Sequence, residues 1–304
     1  MVVVTTVLGA FISIQARING ELGHRLQDGY FAAVISFGSG LVVLTIVVVI
    51  SRPGRRARSA LFTALRTRAI PWWYFIGGAC GAMLVLSQGV SATLLGVALF
   101  TVAMVAGQTL SALVVDRRGI GTMPPKSITW PRAVGTFLMV AAVVCAVSGD
   151  LTGTSSWTLM LMPFTAGLLV SFQQAINGQV KQKTSSALIA TWNNFGVGTV
   201  VLVIIFVVHG LSTHWPTQLP TAPWLYAGGL MGIVFIAGTA ILVKHIGVLI
   251  LGLCSIAGQL IGSLLLDLVA PTPGHGLSWT TVAGTGLALL AIAVTALPAR
   301  RRGP

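Results

Sequence analysis

Residues 9–20 read GAFISIQARING and residues 167–178 read GLLVSFQQAING, so Gly, Ser, Gln, Ile, Asn and Gly recur in register at an offset of 158. The correspondence continues outward from this pair. Phe37-Gly38-x-Gly40 answers Phe195-Gly196-x-Gly198 at the same offset, with Ser36 opposite Asn194. At an offset of 151, Gly77-Gly78-x2-Gly81 answers Gly228-Gly229-x2-Gly232, Gly96-Val97 answers Gly247-Val248, Gly107-Gln108 answers Gly258-Gln259, and Asp116 answers Asp267. Trp130 and Gly135-Thr136 answer Trp279 and Gly284-Thr285 at 149. Low complexity alone does not keep so many matches in register, and we read an internal duplication.

The composition says what is duplicated. Of 304 residues 55% are hydrophobic and 8% charged, with a mean hydropathy of +0.92. A water-facing surface needs about 25% charged residues. This excludes a soluble enzyme, a nucleic-acid reader and a secreted disulfide scaffold. Apolar runs long enough to cross a bilayer core about 30 Å thick fall at 2–19, 30–50, 72–91, 96–115, 130–149, 157–177, 187–209, 224–243, 247–268 and 279–298. Trp72, Trp73, Trp130, Trp157, Trp224 and Trp279 open runs, as rings anchored at headgroup level do. The first run begins at Met1 without a basic leader or a small-residue cleavage site and reads as a retained helix. It has about two residues fewer before its glycine than its counterpart in the second half. Cys80, Cys145 and Cys254 all sit inside apolar runs, where the reading is packing.

The expected fold is therefore an all-α polytopic membrane protein of ten transmembrane helices, in two five-helix repeats over 1–149 and 150–304. An odd number of spans per repeat inverts the second copy. The charges set the orientation. Arg52, Arg55, Arg56, Arg58, Arg66, Arg68, Arg117, Arg118, Lys126, Arg132, Lys181, Lys183, Lys244 and Arg300–Arg302 share one side, and only Arg17 and Arg25 fall on the other. By the positive-inside rule both termini are cytoplasmic. The net charge of +13 is thus a topology signal, and nucleic acid is not an expected partner. Inverted repeats are a recurrent architecture of secondary transporters, with the solute site near the midplane between the halves.

Two fused five-helix repeats, with Gln-x2-Ile-Asn-Gly late in the first helix of each, resemble the YdcZ-like branch of the drug/metabolite transporter superfamily over essentially the whole chain. The resemblance implies an EamA-like bundle in a bacterial cytoplasmic (inner) membrane, a central cavity between the halves, and a peripheral fifth helix in each repeat. It implies a transport class and no particular ligand. The small multidrug exporters of the superfamily rely on a glutamate within their first helix, and here no acid occupies the body of the first or sixth span.

Candidate substrate-binding residues are polar groups inside spans, which are costly there and usually face the bundle interior. Gln108 and Gln259 lie near the midplane and correspond to each other; they either orient a solute or hydrogen-bond neighbouring helices. Gln15 and Asn19, and likewise Gln173 and Asn177, are one turn apart. They either line two mouths of a pathway, or Asn-Gly caps each helix. Ser36, Asn193, Asn194 and Trp192 form a further polar group able to complete the wall, with a ring for an aromatic or cationic solute. Glycine pairs at small-xxx-small spacing, such as Gly107/Ser111 and Gly258/Gly262, read as close helix packing.

No glycine run continues into a phosphate-cradling motif, so no nucleotide, cofactor or metal is expected. The five acids, Glu21, Asp28, Asp116, Asp150 and Asp267, lie near span ends. Glu21 at i,i+4 from Arg17 predicts an interfacial ion pair. His24, His209, His214, His245 and His275 read as interfacial side chains. The expected function is secondary transport of a small neutral or zwitterionic metabolite by alternating access. The alternatives are a cation or multidrug exporter and a non-transporting membrane partner. The fifth and tenth spans could form a homodimer face.

Overall fold

The computed structural model describes residues 1–120, 125, 127–148, 154–212, 215–216, 218–271 and 277–297, without the side chains of 147, 154–158, 240, 241 and 243–250. Lys126, Asp150, His214, His275, Arg300, Arg301, Arg302 and the 149/150 repeat boundary therefore lie outside it, as do the side chains of Trp157, Lys244 and His245. The regular elements are helices: α1 (Val2–Leu26), α2 (Gly29–Ile50), α3 (Arg52–Arg66), α4 (Ile76–Leu95), α5 (Val97–Arg118), α6 (Trp130–Val147), α7 (Thr154–Thr184), α8 (Ala187–Gly210), α9 (Gly228–Val269) and α10 (Trp279–Thr295), with 3-10 turns at Trp72–Phe75 and Pro223–Tyr226. Seven helical stretches are long and apolar enough to cross a membrane, and Trp130–Ala146, Gly228–Thr239 and Trp279–Thr295 are shorter apolar helices.

Three sequence expectations are corrected. Asn19-Gly20 and Asn177-Gly178 do not end their helices: α1 continues to Leu26, where Gln27 takes the left-handed cap, and α7 continues to Thr184. Glu21 pairs with Arg25, one turn on, at 2.8 Å, and not with Arg17. The runs 224–243 and 247–268 fall in one helical element, α9, of 42 residues, which if straight would extend about 63 Å. It is bent: Gly232 faces Gln15 while Gly258 faces Thr6, and both arms thus lie on the same helix, α1.

The sequence reading also omitted a helix. α3 follows α2 directly, with Pro53 in its first turn and Ser51 Oγ accepting from the Gly54 N–H. Ala57, Leu61 and Ala64 form its buried stripe, and the arginines take the other face. The helix is amphipathic, and its apolar stripe packs on Val48 of α2, Val180 of α7 and Ile189 of α8. Arg55 donates to the Val49 and Ile50 carbonyls at 2.9 and 2.7 Å, closing the C-terminus of α2.

The main core centres on α5, buried along most of its length from Val97 to Gln108, and it joins α1, α6, α9 and α10 around Phe100, Met139 and Leu260. A second core lies between α2, α4 and α8, where Phe37 and Phe195 stack at 4.7 Å. Trp72, Trp130 and Trp279 are each more than three-quarters exposed. α6 and α10 pack on each other through Gly135 and Gly284.

Contacts between the two halves recur at matching positions. A methyl group on Gly9 would strike the Ser255 carbonyl, and one on Gly167 the Met104 carbonyl; Gly258 meets Thr6 as Gly107 meets Phe164; Gly40 meets Phe195 as Gly198 meets Phe37. Ser13 Oγ donates to the Gln259 carbonyl at 2.7 Å, and Ser171 Oγ to the Gln108 carbonyl at 2.9 Å. The glycines are there because helix backbones meet with nothing between them, which is how helices gain contact in lipid.

Candidate functional site

These backbone contacts leave a cavity of about 370 Å³ between α1, α4, α5, α7, α8 and α9. Its inner part is lined by Gln15 and Ile12 of α1, Gly81 and Val85 of α4, Met104 and Gln108 of α5, and Ser255 and Gln259 of α9. From there it runs past Gln173, Gln174, Asn177 and Asn194 to Lys181, Ala187 and Leu251. Ala187 begins α8 and Lys181 lies in the last turn of α7, so the cavity reaches the ends of these helices. Phe37, Phe195 and Phe235 supply aromatic wall.

Gly81 and Gly232 make the cavity wide enough at its waist. A side chain on Gly81 would occupy the place of the Gln173 amide, and one on Gly232 would crowd the Gln15 amide. Gln173 and Asn177 both donate to Asn194 Oδ1, at 3.2 and 3.1 Å. The inner group is less satisfied. Gln15 and Gln108 are 4% and 8% exposed, yet their amides make no hydrogen bond among the described residues. Gln259 Nε2 reaches the Ser255 carbonyl only at 3.4 Å, and the buried Ser255 Oγ has no partner among the described residues. Buried polar groups are normally paired, so this cluster offers donors and acceptors to whatever enters the cavity.

At the opposite end the helices close. Asn19 Nδ2 donates to Gln88 Oε1 at 2.8 Å, both residues fully buried. Beyond them Gly23 packs on the backbone of Gly89 and Gly29, and Gly20 on Thr93. At the same end Asp267 accepts from the Val97 and Ala98 N–H groups at 3.1 and 2.7 Å, capping α5 beside Gly96, whose φ of 79° suits glycine. Asp116, which matches Asp267, bonds Arg132 instead. The other described acids are also committed: Glu21 to Arg25, and Asp28 to the Tyr30 and Phe31 N–H groups that begin α2.

Of the candidate residues, Gln15, Gln108, Gln173, Asn177, Asn194 and Gln259 line the cavity, while Asn19, Ser36 and Trp192 do not. Asn19 is held in the seal by Gln88. Ser36 Oγ is buried beside Gly228, without a partner among the described residues. Trp192 donates its Nε1–H to Thr45 Oγ1 at 2.9 Å, which turns its polar edge to α2. Gln88, Gln174, Thr191, Thr239, Ser255 and the cavity position of Lys181 went unread in the sequence. Gln88 and Ser255 stand opposite Thr239 and Met104 in the other repeat, so no duplicated motif marks them.

Apolar helices packed through glycine backbones around a cavity whose largely apolar wall carries several amide side chains fit an integral membrane protein of the transporter class. A family profile described as "Putative inner membrane exporter, YdcZ" matches residues 1–145 and 158–294, and the chain belongs to this family of drug/metabolite transporter type. It is a multi-pass inner membrane protein. No curated protein matches the chain at a significant level.

Proposed function

We propose that the chain is a secondary transporter that carries a small neutral or zwitterionic metabolite by alternating access between two inverted five-helix repeats, with both termini cytoplasmic. The observation that carries this reading is a cavity between the two halves lined by Gln15, Gln108, Gln259 and Ser255, of which the Gln15 and Gln108 amides make no hydrogen bond among the described residues, and extending from there to Lys181, Ala187 and Leu251. Under the positive-inside assignment the Lys181 end is cytoplasmic, and the sealed Asn19–Gln88 end faces outward. The recurring contacts between α1 and α9 and between α7 and α5 support the repeat relation, because each half supplies the same surfaces to the other. The family description supports the outward direction.

Alternating access then consists of the repeats exchanging their arrangements. In one half Asn177 bonds Asn194, the position matching Ser36. In the other half Asn19 bonds Gln88 in place of Ser36. In the outward-open state Asn19 returns to Ser36 and the α1–α4 seal parts. The position of Trp192 and the absence of a carboxylate among the described lining residues count against an exporter of hydrophobic cations.

The test is thermal stability of the purified protein in detergent against solutes grouped as neutral, zwitterionic, cationic and anionic. A solute at 100 times its dissociation constant adds about 2.7 kcal/mol. The expected result is a shift from the neutral or zwitterionic group that disappears in Gln108→Ala/Gln259→Ala while the double variant still folds. An undiminished shift in that variant overturns the site.

A further inference from the structure

We propose that the cavity selects solutes bearing a carboxylate, with Lys181 as its counter-charge; the inference rests on the reading of this cavity as the solute site. Among the described lining residues Lys181 is the one charged side chain, and none is acidic. The described acids elsewhere are occupied by Arg25, Arg132 and the starts of α2 and α5. Lys181 is half-buried and makes no ion pair among the described residues.

Packing does not demand a lysine at this place. The position matching Lys181 in the first repeat is Gly23, where the fold brings backbone against backbone at Gly89 and Gly29. One repeat therefore closes with no side chain at all where the other places a lysine on the cavity lining. The positive end of the α8 dipole, at the lining residue Ala187, adds to the field with the same sign. Low-dielectric walls focus such a field on an entering solute.

Deeper in, the Gln15 and Gln108 amides, which line the cavity beside Ser255, offer N–H donors for carboxylate oxygens. The amide carbonyls of Gln108 and Gln259 accept from an ammonium, so a zwitterion finds both of its ends served. A lone cation meets a repulsive mouth and no carboxylate. One ammonium without an arginine fork suits a singly charged carboxylate better than a doubly charged phosphate.

The experiment reads the field inside the cavity without requiring the natural solute. Ser255→Cys is placed in a chain whose Cys80, Cys145 and Cys254 are replaced by serine. Its labelling rate is measured with anionic sulfonatoethyl methanethiosulfonate and with cationic trimethylammonioethyl methanethiosulfonate, each divided by the rate for a free thiol in solution. The ratio cancels the reactivity of the thiol itself. A unit charge acting over about 10 Å at an effective dielectric near 20 speeds the anion and slows the cation on the order of tenfold each, so the ratio of the two is on the order of a hundred or more. That preference is expected to fall to near unity in Lys181→Gln and to persist in Lys181→Arg. Equal rates, a faster cationic reagent, or a ratio unmoved by Lys181→Gln overturns the carboxylate selectivity while leaving the cavity reading intact. Labelling by neither reagent shows that no solute-sized molecule reaches Ser255, and overturns both.

Discussion

A buried amide left half-paired is costly unless it has a second partner in another arrangement, and Asn19 Oδ1, Gln88 Nε2 and Ser36 Oγ are all in that position. Stranding a buried polar group costs about 1–3 kcal/mol, whereas replacing both partners with apolar groups is nearly neutral. Gln88→Leu is therefore expected to lower thermal stability by about 1–2 kcal/mol, and Asn19→Leu/Gln88→Leu to recover most of that loss, as a double-variant melting cycle would show. The recovered variant should still fail to transport, because Asn19 no longer exchanges between Gln88 and Ser36. At this scale the sequence disclosed the duplicated residues Gln15, Gln108, Gln173, Asn177 and Gln259, since each stands in a repeated motif. Ser255, Gln88 and the role of Lys181 stayed hidden because their counterparts are Met104, Thr239 and Gly23.

Elements reveal themselves in sequence by apolar length and fail to do so where length is ambiguous. α2, α5 and α8 coincide with predicted runs within a few residues. α9 does not, because the helix continues through Lys244, His245 and Gly247, the charge and glycine that were expected to separate two runs. α3 was missed because its arginines dominate the segment, although Ala57, Leu61 and Ala64 repeat at helical spacing. The glycines discriminate the packing most sharply. Gly107 has the Phe164 carbonyl against it, while Gly38 and Gly286 have open space. Gly107→Val is expected to destabilise by about 2–3 kcal/mol or more through forced separation of α5 and α7. Gly38→Ala should be neutral or stabilising by up to about 1 kcal/mol, since alanine favours a helix interior. Melting temperatures of the two variants check both.

For the molecule as a whole, duplication and net hydropathy were enough to indicate a polytopic membrane bundle, but not which end of the proposed pathway stands open. That depends on which of two related arrangements each repeat occupies, and a near-symmetric sequence supports both. The most direct measurement is the accessibility of Ser255→Cys, in the same serine-substituted background, to a membrane-impermeant thiol reagent applied from either face of oriented vesicles. It is repeated with the outer seal locked by Gly20→Cys/Ala92→Cys; a Cβ on Gly20 would lie 3.1 Å from that of Ala92 and 2.6 Å from Thr93 Oγ1, so the helices part slightly to reach the roughly 3.5–4.5 Å that a disulfide spans. The account predicts labelling from both faces in the unlocked protein, and from the cytoplasmic face alone once the disulfide has formed. Labelling from a single face without the lock, or from both faces with it, would contradict alternating access through this cavity.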